Sequence, residues 1–174
     1  MSAGPPAARA RGHGGPVTAE LEAYARELSW IFDQVCESLA GLSAAQLNWR
    51  PATRAANSPY TIARHIVAST RVYALGFGCG HAVQRDRDAE FMGSAPDPGE
   101  VMDQLRQLER EIRDAVAALG PAALDERLVP PQELWGTGRP REISRREALV
   151  ESIRHAAIHL GELRLTRSLA VDPR

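Results

Sequence analysis

His155 and His159 stand four residues apart in the segment HAAIHLGE, and a third histidine, His65, lies in SPYTIARHIVAST. On a helix the four-residue step places both imidazoles on one side, one turn apart, where they can grip a single divalent ion. His65 shares the apolar side of its own segment with Ile62, Ile66 and Ser69. If the two segments are neighbours, three ring nitrogens converge. Three protein ligands with one position left open is the donor set of a catalytic zinc centre, and imidazole also suits nickel, cobalt and iron. An HxxxH pair is common, and a buried histidine often does no more than satisfy hydrogen bonds. Two observations weigh toward metal. Three of the five histidines lie on apolar faces, where uncompensated polar atoms are costly. Ser152, Ala156, Ala157 and Gly161 are small and leave room around the pair.

Glu162 follows His159 by three residues and reaches the same region. It is the candidate catalytic residue, as a general base toward an activated water or thiol. The alternatives are that it accepts the far N–H of a ligand histidine, or that it is a surface carboxylate paired with an arginine. The residue after His155 is Ala156, so the HExxH general base of the zincins is missing. Trp49, Tyr60, Tyr73 and Trp135 are candidate pocket-lining aromatics. Arg64 and Arg154 each precede a candidate ligand by one residue, about 100° away around the helix, and read as solvent-facing or ion-paired.

Four long helical segments must position these residues. The first, about 18–41, carries Leu21, Tyr24, Leu28, Ile31, Val35 and Leu39 at steps of three and four, continued by Leu42. Thr18 caps it and Gly41 ends it. Ser43 and Gln46 form a capping box for one short turn. The second, about 59–77, has Ser58 as cap and Pro59 at its first position. A glycine-rich, then charged loop follows, long enough to shape a site entrance or to be mobile. The third, about 98–119, starts at Asp97-Pro98 and buries Val101, Leu105, Leu108, Ile112, Val116 and Leu119. An irregular crossover over 121–143 holds short strands near Arg127–Val129 and Arg141–Ile143. The fourth, about 145–169, has Ser144 as cap and Glu147 completing the box. These segments predict an all-α four-helix bundle with long crossover connections, in which sequence neighbours need not be spatial neighbours.

The 174 residues suit one domain, here 17–170, preceded by a disordered Gly/Pro/Ala/Arg tail over 1–16 that contains His13. A net charge of -1 offers no general attraction to nucleic acid or acidic membranes. No run approaches the roughly 20 apolar residues of a membrane span, and the N-terminus lacks the apolar core of a secretion signal. Cys36 and Cys79 are far apart without a CxxC partner, and read as free packing thiols of a reducing, cytoplasmic compartment. Gly76–Gly80 lacks the GxxxxGK[ST] pattern of a phosphate loop.

LNWRP at Leu47–Pro51, SPYTIARHIVAST at Ser58–Thr70 and HAAIHLGELRLTRSL at His155–Leu169 resemble the DinB/YfiT-like family, grouped with the bacillithiol and mycothiol S-transferases. The resemblance runs from about Tyr24 to Leu169, and His65, His155 and His159 match the family's metal triad position by position. It implies a four-helix bundle, often a homodimer, holding a divalent metal such as zinc or nickel that stays open to water. It also implies a low-molecular-weight thiol cosubstrate and a small electrophilic substrate, hence a metal-dependent thiol S-transferase. A metal-dependent hydrolase and a non-catalytic metal-binding or structural bundle are the alternatives. The arginine-rich substrate motif of one branch is absent, and the family name carries no implication of DNA binding.

Overall fold

The computed structural model describes residues 18–53 and 56–172. The tail expected over 1–16 lies outside the described residues. Helices α1 (Ala19–Leu39), α2 (Ala44–Asn48), α3 (Pro59–Thr70), α4 (Arg87–Glu90), α5 (Gly99–Ala118) and α6 (Arg145–Val171) make an all-α bundle. The only strands among the described residues are β1 (Arg127–Leu128) and β2 (Ile143–Ser144), paired antiparallel with Arg127 opposite Ser144.

Local chemistry sets the ends of these helices. Thr18 accepts from the Leu21 N–H, and Ser43, Ser58 and Ser144 each sit in a complete capping box, closed by Gln46, Thr61 and Glu147. Such caps satisfy amides that have no partner inside the helix. Gly41 takes φ +75° just beyond α1, a backbone region that side chains disfavour. At α5 the start falls one residue later than expected. Pro98 is the cap, and Asp97 receives the Gly99 N–H at 2.8 Å.

The second segment departs more from expectation. The α-helix stops at Thr70, and Arg71–Gly78 continues as a π-helix. Its wide bonding persists at the exit, where the Cys79 N–H reaches the Ala74 carbonyl at 2.9 Å. Glycines allow the widened turns to pack closely. A Cβ on Gly78 would lie 2.8 Å from Leu149 Cδ2, and one on Gly76 would lie 2.7 Å from Val83 Cγ2. Wide turns of this kind recur at functional sites, and this one carries Tyr73.

The main core joins α1, α3, α5 and α6. Leu21, Leu28, Ile31, Phe32, Val35 and Leu39 of α1 meet Val101, Leu105, Leu108 and Ile112 of α5, all 2% exposed or less. Each such side chain contributes about 1.5–3 kcal/mol of transfer free energy. The long helices form a ring in which α1 touches α5 and α6, and α3 touches α5 and α6, while α1 and α3 meet only marginally. The first two long helices of the sequence, α1 and α3, are therefore diagonal to each other, an order that long connections permit. The result that matters for chemistry is the extensive α3–α6 contact, because it brings His65 to His155 and His159.

Candidate metal centre

His65 is 3% exposed, held on the inner side of α3 between Ile62, Ile66 and Ser69. His155 and His159 approach it from α6. The His65 ring centroid lies 5.0 Å from that of His155 and 4.6 Å from that of His159, and the latter two are 4.5 Å apart. One ring nitrogen from each residue lies within 4.8 Å of the others. Among the described residues this is the cluster of three histidine, cysteine or acidic side chains able to share an ion.

Two of the three rings are oriented by carboxylates. His65 Nδ1 is 2.7 Å from Glu90 Oε2, and His159 Nδ1 is 2.7 Å from Glu162 Oε2. A carboxylate on Nδ1 places the proton there and leaves Nε2 as a free lone pair, the arrangement that prepares a histidine for metal. His155 Nδ1 is buried without a hydrogen-bond partner. A buried nitrogen without a partner is uncommon in a finished structure. Two prepared donors and one unsatisfied ring, all imidazole, fit a divalent ion such as zinc.

The electrostatics agree. Burial lowers the His155 pKa from 6.5 to about 3, helped by the neighbouring charges of His159 and His65. Burial also lowers His65, against the pull of Glu90. Neutral rings, the ligating form, are thus favoured at neutral pH. Burial pushes the Glu90 carboxyl up, but its hydrogen bonds with His65 and Arg85 outweigh that and hold it below the usual range. The hydrogen bond from His159 lowers Glu162.

Sequence reasoning missed Glu90 and Arg85. The charged loop after the π-helix contains α4, capped by Asp86, and delivers Glu90 to the back of His65. Arg85 closes on the same carboxylate from Nε at 2.6 Å and from an Nη at 3.0 Å, with its side chain only 2% exposed. The available signal was chemical rather than periodic: a buried histidine needs a partner, and Asp86 announces a helix start.

Other candidates sort clearly. Tyr73 stacks on His155 at 6.2 Å and faces Trp135 at 6.2 Å, so both border the centre. Tyr60 belongs to the main core, beneath the Arg64 guanidinium at 5.6 Å. Trp49 ends α2. Arg64 also donates to the Met92 carbonyl, and Arg154 pairs with Glu151 at 2.6 Å. Cys36 and Cys79 are free thiols packed against the core, and burial pushes Cys79 up to about 11. A concavity of about 260 Å³ opens beside His155, bordered by Tyr73, Arg85, Arg87, Trp135 and Glu151.

The model of the DinB superfamily matches residues 27–163, most of the chain and all three histidines. The protein belongs to the DinB superfamily. A solved structure, described as the conserved protein of a locus from Enterococcus faecalis, superposes with a TM-score of 0.65 at 15% identity. The match covers 86% of this chain and 96% of that one, and it supports the DinB-like fold alone. No curated protein matches the sequence. No helix among the described residues is long and apolar enough to cross a membrane.

Proposed function

We propose that this DinB-superfamily protein is a metal-dependent thiol S-transferase acting on a small electrophilic substrate. The observation that carries the reading is a three-histidine cluster with no fourth protein ligand among the described residues, one member of which, His155, borders an open concavity. A structural metal site is closed by four protein ligands, whereas a catalytic one keeps a position free. Glu162 and Cys79 are each engaged elsewhere: Glu162 is bonded to His159, and Cys79 packs against the apolar core.

His65, His155 and His159 would hold zinc or nickel. Once bound, the ion would supply Lewis acidity, lowering the pKa of a coordinated thiol so that it attacks as the thiolate. Glu90, clamped by Arg85, fixes the tautomer and orientation of His65. Glu162 does the same for His159, and the thiol proton would leave to solvent through the open position. Tyr73 and Trp135 form the apolar wall against which the electrophile packs.

Cobalt-substituted protein tests the reading. Low-molecular-weight thiols should produce a sulfur-to-cobalt absorption band, and a thiol plus an electrophilic chloroarene should yield the thioether at a rate that falls at least 100-fold in H155A. An unchanged spectrum on adding thiol would remove the transferase reading.

The same proposal carries a homodimer. Val150, Ile158, Leu165 and Leu169 are exposed along one side of α6, and Gly161 among them has open space where a Cβ would sit. A helix with apolar residues on its solvent side as well as its core side calls for a partner. Sedimentation should give a dimer that L165E converts to a monomer; a monomeric wild type would dismiss it.

A further inference from the structure

Arg85 and Arg87 both border the concavity at His155, but their situations differ. Arg85 is saturated by Glu90. Arg87 has no carboxylate partner among the described residues. Its guanidinium sits over the Phe91 ring at 6.0 Å, and Phe91 in turn lies 4.9 Å from His65. A cation held on an aromatic face is pre-positioned without its hydrogen-bonding capacity being used. The acidic residue on the same wall, Glu151, is already paired with Arg154.

Gly136 defines the space between these groups. A Cβ placed on it would lie 3.8 Å from Arg87 Nη1 and 3.8 Å from Tyr73 Oη. Two donors therefore converge on the point that a side chain at 136 would fill. Gly136 has no positive φ, so its backbone does not require glycine, and the free space is what the missing side chain provides. The concavity, about 260 Å³, is smaller than the roughly 300–1,000 Å³ of drug-sized pockets.

We infer that this concavity is a carboxylate-binding subsite, in which Arg87 and the Tyr73 hydroxyl hold the acid group of a small organic acid beside Gly136. Arginine presents a planar pair of N–H groups that match a carboxylate. Trp135 and Tyr73 cover the carbon skeleton, and the far end of the ligand points toward His155. The substrate or the thiol of the proposed reaction is thus an acid. That last step rests on the proposed metal-dependent reading; the binding of the acid does not.

The test uses untagged, full-length protein, metal-depleted and zinc-loaded, titrated calorimetrically with succinate and with succinamide as the uncharged control. Succinate should bind the metal-depleted wild type at least tenfold more tightly than succinamide. R87Q should lose at least tenfold in succinate affinity, and G136V, which fills the space, should abolish binding. Both variants should keep the wild-type melting temperature within a few degrees and the wild-type zinc content. Succinate that fails to bind, or binds R87Q and G136V as it binds wild type, overturns the subsite. Arg87-dependent succinate binding in a protein that takes up no zinc would sustain the subsite while overturning the metal reading.

Discussion

The α1–α5 side and the α3–α6 side of the bundle use opposite chemistry. Between α1 and α5 the core is a run of leucine, isoleucine and valine, and its polar neighbours are mutually satisfied: Ser29 donates to Glu109 at 2.5 Å, and Arg113 pairs with the same carboxylate at 2.7 Å. Between α3 and α6 the buried groups include His65, Glu90 and Ser152, and several polar atoms have no partner, among them His155 Nδ1 and Ser152 Oγ. The larger concavity, about 440 Å³, lies on the first side, lined by residues such as Ala25, Val116 and Arg26. The smaller, about 260 Å³, lies beside the histidines. Size does not mark the candidate metal centre. Converging donors with unspent bonding capacity do, because each such atom costs stability until a ligand meets it.

The sharpest way to break this contrast is to unpair the buried clamp. Glu90→Ala leaves Arg85 buried without its carboxylate, and should cost about 3–5 kcal/mol, read from urea unfolding of the metal-free protein. A loss under 1 kcal/mol would mean that Arg85 and Glu90 do not form a buried pair. On the other side, Leu108→Ala should cost about 2–5 kcal/mol while leaving metal content per folded chain unchanged. The gentler Glu162→Gln should preserve the fold and weaken metal binding about 10–100-fold, measured by competition with a chelator.

Acid should also separate the two sides. The His155 pKa is lowered to about 3 in the folded chain, so its contribution is complete above the unfolded value of 6.5. As pH falls from 6.5 toward 3 the unfolded chain takes up a proton that the folded chain refuses. Stability of the metal-free protein should therefore decline through that window, by at most about 1.4 kcal/mol per pH unit from this group. H155A should flatten the decline, and Leu108→Ala should not; equal slopes in H155A and wild type would contradict the assignment. The smallest effect is expected at the surface, where Arg113→Ala should change stability by about 0.5 kcal/mol or less.

The helices were legible in the sequence because their signals are local. Thr18, Ser43, Ser58 and Ser144 cap where expected, and the stripes of α1 and α5 are the observed core. His65, His155 and His159 were legible because imidazoles on apolar faces demand a reason, and α3 and α6 do bring them together. Glu90 was not legible. It belongs to one turn of helix in a charged loop, and nothing periodic ties it to a histidine 25 positions earlier in the chain. The π-helix at Arg71–Gly78 escaped for a related reason. Its glycines leave room for the close approach of Leu149 and Val83, which only the folded chain brings near.

The proposed chemistry depends on one metal ion held jointly by α3 and α6. Metal analysis of untagged wild type, H65A, H155A and H159A, each confirmed folded by circular dichroism, tests it most directly. About one divalent ion per wild-type chain is expected, and its loss in every single histidine variant. Wild-type protein that takes up no metal after reconstitution with zinc or nickel, or variants that retain it in full, would rule out a metal centre built on these three histidines.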